Sequence, residues 1–182
     1  MKKLLFLTVL FLIGIAAKAQ NVVYDNTDAT GVRTVIMDGL NLGAVNGVNV
    51  YVSLAGFQYN KTVRYSLAVS YGADHQIEIP VDSGCILTLG NGKAVKLPTA
   101  AGGAAILKTV DVKLEDVYSQ YRRFAYYRFE KNGVLKKAIK KGVKAVDFQL
   151  NPSNYSATFD GGEFTALLQS EYEALQHIFG KK

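Results

Sequence analysis

Apolar residues recur along the C-terminal stretch at Phe164, Leu167, Leu168, Leu175, Ile178 and Phe179, with Tyr172 and Ala174 nearby. Steps of three and four residues place most of them on one stripe of a helix. Glu163, Gln169, Glu173 and Gln176 fall largely elsewhere, toward water. The spacing predicts an amphipathic helix over 163–179, with Asp160 as N-cap, Glu163 at the positive end of the dipole and Gly180 closing the last turn. An isolated helix of this length is marginal in water, so its stripe needs a partner. Just upstream the period changes to two. Val146, Phe148 and Leu150 alternate with Ala145, Asp147 and Gln149. After Asn151-Pro152-Ser153, Tyr155, Ala157 and Phe159 alternate with Ser156 and Thr158. Period two marks strands. The expected unit is a hairpin followed by a helix, with the stripe lying on the face that shows Val146, Phe148, Tyr155 and Phe159.

The same alternation predicts strands over 33–38, 48–57 and 63–71, the last two joined by a hairpin loop at 58–62. Gly39, Gly43 and Gly47 break the chain around short apolar pieces, and Ile77 and Ile79 give a short strand that Pro80 ends. Asn91-Gly92 is the clearest turn signal. A two-residue turn there pairs Leu89 with Ala94. A three-residue loop with Gly92 left-handed pairs Leu89 with Lys93, Leu87 with Val95 and Cys85 with Leu97. The second register groups the large apolar residues and is the expected one. Residues 98–105 are small and connect two strand-rich halves; 106–114 and 121–129 read as further strands. Residues 134–141 read as a short helix with Val134, Leu135, Ala138 and Ile139 inward, ended by Gly142. Neither half supplies enough apolar residues for its own core. The fold class expected is a single α+β domain over 32–182, mainly antiparallel sheet, curled or sandwiched, with a short helix near 134–141 and a C-terminal helix near 163–179.

The N-terminus changes the reading of composition. Met1-Lys2-Lys3 precedes an apolar run of about a dozen residues and an Ala17-Lys18-Ala19 site, the pattern of a secretory signal peptide over 1–19 cleaved between Ala19 and Gln20. The run is shorter than the roughly 20 residues a spanning helix needs. Removing Lys2, Lys3 and Lys18 takes the formal net charge from +6 to about +3, so the sequence gives no reason to expect a nucleic-acid partner. Residues 20–31 are polar, turn-rich and expected to be loosely ordered. Cys85 is the single cysteine. It excludes an internal disulfide and, in a strand with no basic neighbour, reads as a small core residue rather than a reactive thiol.

Candidate chemistry is sparse. His75 sits in a Gly-Ala-Asp-His turn and His177 in the last turn of the terminal helix, and no third group orients either toward Cys85. Asp25 and Asp28 fit no calcium loop. The Gly-Asn-Gly-Lys run at 90–93 lacks the spacing of a phosphate loop. No catalytic residue, cofactor site or metal ligand set is expected. The run Tyr121, Arg122, Arg123, Tyr126, Tyr127 and Arg128 combines residue types favoured at binding surfaces. Alternation puts Phe124 and Tyr126 on one face, and Ala125, Tyr127 and Phe129 on the other. One of these two rows belongs to the core. Lys136, Lys137, Lys140, Lys141 and Lys144 form a cationic cluster that reads as a solvated face or as a dock for an anionic surface.

The order of elements in the C-terminal part carries a resemblance. It runs through the Lys-rich helix at 135–142, Gly142-Val143-Lys144-Ala145-Val146-Asp147-Phe148, the strand at 155–159 and the helix at 164–179, with an Asn91-Gly92 hairpin upstream. This pattern resembles small secreted proteins of unknown function from Gram-negative gut bacteria. The resemblance covers about half of the chain; it implies an α+β fold and no activity. The function expected is an exported, non-catalytic binding or interaction protein with a protein, small-molecule or glycan partner. The alternatives are a small secreted hydrolase-type enzyme and an envelope-associated protein that docks on anionic surfaces.

Overall fold

The computed structural model describes residues 22–80, 83–99 and 121–180, without the side chains of Tyr121 and Arg122. The signal segment, the Ala19–Gln20 junction, the strand expected at 106–114 and most of the 98–105 connection lie outside the described residues. The α+β class holds. The elements are β1 (Val22–Thr27), β2 (Val32–Met37), β3 (Leu40–Val45), β4 (Val48–Tyr59), β5 (Thr62–Ala73), β6 (Gly84–Leu89), β7 (Ala94–Pro98), β8 (Tyr121–Arg128), α1 (Asn132–Lys141), β9 (Val143–Phe148), β10 (Tyr155–Thr158) and α2 (Glu163–Gly180).

Two antiparallel sheets stack. The larger has the order β1-β2-β4-β5-β8, with β3 also on β4, and the smaller has the order β10-β9-β6-β7. Alternation explains the stacking. Val48, Val50, Val52 and Leu54 of β4, Tyr65, Leu67, Val69 and Tyr71 of β5, and Ala125 and Tyr127 of β8 are buried on one face of the large sheet. Cys85, Leu87 and Leu89 of β6 with Val146 and Phe148 of β9 supply the facing layer. Phe148 sits between the two, its ring 5.6 Å from that of Tyr71 and 5.5 Å from that of Tyr127. The sheets also meet at their margins, through a Thr99–Tyr127 bridge and a Tyr155 hydroxyl that donates to the Leu42 carbonyl at 2.9 Å.

Several expectations are corrected here. Val22–Thr27, within the stretch expected to be loosely ordered, is strand β1, exposed along its length and paired with β2. Residues 40–45 form β3, because the left-handed Gly43 (φ 89°) lies within the shift of register between Asn41 and Ala44 and lets the strand resume. The strand expected around Ile77 and Ile79 is only an isolated bridge between Glu78 and Asn151. The hairpin β4–β5 is longer and tighter than expected, closing on Asn60-Lys61 with Asn60 at φ 53°. The Asn91-Gly92 turn takes the expected register: Cys85 faces Leu97, Leu87 faces Val95, and Gly92 is left-handed at φ 78°.

The terminal helix forms, but its main partner is not the hairpin upstream. The smaller sheet covers only part of the inner face of the 12-residue strands β4 and β5. α2 covers the rest. Leu175 and Phe179 press on Gly56, and the Tyr172 ring meets Tyr65 edge-on at 5.1 Å. The hairpin meets the start of the helix, where Phe159 stacks on Phe164 at 4.8 Å and Thr165 Oγ1 accepts from the Val143 N–H at 2.8 Å. Fully burying Phe164, Leu168 and Leu175 is worth roughly 1.5–3 kcal/mol each.

Candidate binding surface

The face of the large sheet turned away from the core is built from small residues framed by rings. Register sets Ser53 opposite Ala68, Ala55 opposite Ser66, Ser66 opposite Arg128 and Ala68 opposite Tyr126. Ser53, Ala55 and Ser66 are buried. Phe57 and Tyr126 stand on strands separated by β5, about 10 Å apart at ordinary strand spacing. Their rings nevertheless meet edge to face at 5.3 Å. They must therefore lean together across β5, and the serine and alanine side chains beneath leave them room. Burial pushes the Tyr126 phenol up to about 12, and the nearby Tyr24 phenol adds to the rise. Tyr24, on the outermost strand, is 44 % exposed, and Tyr59 at the hairpin tip is 56 % exposed.

The six residues singled out in 121–128 separate on this frame. Tyr126 and Arg128 lie on the outer face, and the side chains of Tyr121 and Arg122 lie outside the described residues. Arg123 is half-buried on the inner side at the end of the strand. Tyr127 is corrected: it is a core residue with no exposure, and its hydroxyl shares a 2.7 Å hydrogen bond with that of Tyr71. Burial raises both phenols far above their ordinary range. Arg128 is half-buried, and its Nε is enclosed with no hydrogen-bond partner among the described residues. Leaving a buried donor unpaired costs about 1–3 kcal/mol. An acceptor brought to Arg128 would recover part of that.

Among the groups weighed for chemistry, His177 is exposed in the last turn of α2, whereas Cys85, His75, Asp25 and Asp28 are buried or hydrogen-bonded to neighbours. Cys85 is fully buried, and desolvation raises its thiol well above its ordinary pKa, which disfavours a thiolate. His75 Nδ1 pairs with the Asp74 carboxylate at 2.8 Å, and that contact lowers the pKa of Asp74. Asp25 takes a two-pronged contact from Arg33 at 2.9 and 2.7 Å, and Asp28 accepts from Thr30 and the Val32 N–H to close the β1–β2 turn. Among the described residues no three His, Cys, Asp or Glu side chains gather as a metal site.

Sequence reasoning missed Glu171. It is 1 % exposed on the inner face of α2. β3 pairs with Val48–Val52 and β2 with Ala55–Tyr59, so the Leu54 N–H falls in the gap between them. Glu171 Oε2 accepts that N–H, while Oε1 has no partner among the described residues. Burial raises its pKa to about 8, against the Leu54 hydrogen bond, with the Asp38 charge adding to the rise. The spacing did carry the signal: 171 lies seven residues after Phe164 and four before Leu175, within the stripe.

Comparison with protein-family models, with curated proteins and with solved structures found no match. The resemblance read from the sequence stays one of pattern.

Proposed function

We propose that the chain is an exported, non-catalytic binding protein whose ligand meets the outer face of the large sheet at Tyr24, Phe57, Tyr126 and Arg128. The observation that carries this reading is the unpartnered, enclosed Arg128 Nε beside a cluster of rings. Rings supply apolar contact at low entropic cost, and a guanidinium fixes an acceptor in place. The ligand that fits is a small molecule or glycan with a flat ring face next to a carboxylate or a row of hydroxyls. Export rests on the leader pattern at 1–19. Expression in a Gram-negative host should release a periplasmic product whose N-terminal mass corresponds to Gln20; an uncleaved cytoplasmic chain would overturn this.

Binding is tested by calorimetric titration of a panel of neutral and acidic soluble oligosaccharides and small aromatic carboxylates. The expected result is a binder whose affinity falls tenfold or more in Arg128→Ala and in Tyr126→Ala. A binder indifferent to both changes would move the site elsewhere. Turnover on a hydrolase panel that disappears in His75→Ala, His177→Ala or Cys85→Ala would replace the reading with an enzyme.

A further inference from the structure

α1 concentrates charge that the proposed sheet site does not use. Lys136, Lys137, Lys140 and Lys141 are all exposed. At 100° per residue they sweep about 140° of the helix surface. Leu135 and Ala138 are buried on the opposite side, and half-buried Val134 and Ile139 flank the lysine arc. Lys144, the second residue of β9, is exposed as well. The helix contains no acidic residue, and among the described residues the ion pairs are Arg33–Asp25 and His75–Asp74, so none of these lysines is in an ion pair among the described residues. Beside the arc, between α1 and α2, runs a shallow groove of about 310 Å³ lined by Lys136, Ile139, Lys140, Tyr172, Glu173 and Gln176. The one carboxylate in it, Glu173, is engaged by the Gln169 side-chain amide.

We infer that the lysine arc of α1 docks on an anionic phospholipid surface, with headgroup phosphates over Lys136 and Lys140 at the mouth of the α1–α2 groove. Charge complementarity selects the occupant, since four exposed cations on one short helix face match a plane of anionic headgroups rather than one small ion. The flanking aliphatics Val134 and Ile139 favour a lipid boundary, where apolar edges add to the electrostatic attraction. The arc holds no aromatic residue on which bases could stack, which disfavours single-stranded nucleic acid.

The test uses the chain from Gln20 onward, which retains every described residue and lacks the apolar leader. It is sedimented with vesicles of phosphatidylglycerol and phosphatidylcholine in equal parts, and with phosphatidylcholine alone. Binding is expected to the anionic vesicles only and to fade as salt is raised. Each lysine near such a surface is worth about fivefold in affinity, so Lys136→Gln with Lys140→Gln should weaken binding about thirtyfold. Lys61→Gln, in the β4–β5 turn outside the arc, should change it less than twofold. All three positions are exposed, so circular dichroism should be unaltered. Equal binding to neutral vesicles, an undiminished double variant, or tighter binding to duplex DNA than to anionic vesicles would each overturn the inference.

Discussion

Glu171 is the residue whose environment most contradicts its chemistry. A carboxylate that is enclosed, with one oxygen on the Leu54 N–H and the other unpaired among the described residues, is stable there mainly when protonated. Its folded pKa of about 8 stands above the ordinary value of 4.5. A raised folded pKa means that the folded state holds the proton more tightly. The contribution to stability is therefore complete below about pH 4.5 and is lost as pH climbs toward 8. At about 1.4 kcal/mol per unit, the loss between about pH 5 and about pH 8 is on the order of 4 kcal/mol. Glu171→Gln keeps the acceptor for Leu54 and removes the titration. Urea unfolding at those two pH values should show the variant gaining on the parent by a few kcal/mol at the higher pH and little at the lower. Parallel stability curves would show that the carboxylate is solvated. The Tyr71–Tyr127 pair makes a second residue-scale case. Either Tyr→Phe change alone strands a buried hydroxyl and should cost about 1–3 kcal/mol, whereas the double change should cost less than the sum, as a double-mutant cycle would measure. Tyr127 was legible as one of two alternating rows; only its partner Tyr71 on the neighbouring strand, 56 positions away, decided that its row is the inner one.

Among the elements, contact is closest where a glycine lets one approach another. Gly56 has φ in the ordinary range, but a Cβ there would meet the Phe179 ring, with Cζ at 3.0 Å and Leu175 Cδ2 at 3.5 Å. The Arg33 guanidinium also lies over the Phe179 ring, 5.6 Å from the ring centre. At Gly90 a Cβ would meet the Lys141 carbonyl oxygen, part of the backbone that ends α1. A ring at the end of a helix can tilt, and a carbonyl beside the left-handed Gly142 cannot move without carrying β9 with it. Both Gly→Ala changes should destabilise by about 1–3 kcal/mol or more, with Gly90→Ala the costlier. Phe179→Leu should relieve much of the cost of Gly56→Ala and none of that of Gly90→Ala. Urea midpoints of the single and double variants would check the ranking, and strict additivity at Gly56 and Phe179 would sink the packing account. This is also where sequence reading reached its limit. The helix at 163–179, the helix ended by Gly142 and the Asn91-Gly92 register were legible, because each is written in local spacing. The seat of α2 was not. It depends on how far β4 and β5 outrun the smaller sheet, a property of two elements that end at Tyr59 and Ala73, far upstream of the helix start at Glu163. β3 was hidden because a glycine in a bulge reads as a break.

For the molecule as a whole, the long hairpin β4–β5 is what makes one body of two coverings. Its inner face is shared between the smaller sheet, at Tyr71 and Phe148, and α2, at Gly56 and Tyr65. Both coverings rest on the same strands. Loss of one should expose the hairpin and take the other with it, so unfolding should be cooperative. Leu168→Ala, on the helix side, and Leu87→Ala, on the sheet side, remove fully buried side chains and should each cost about 2–5 kcal/mol. Far-ultraviolet circular dichroism and tyrosine fluorescence should report one transition in each variant, with the same midpoint by both probes. A Leu168→Ala protein that loses helix signal first, while the tyrosines around Phe148 remain buried, would show α2 to be a separable cover. In that case the ring-and-arginine face could keep its shape without the helix, and its binding would be independent of the lysine arc that α1 presents beside α2.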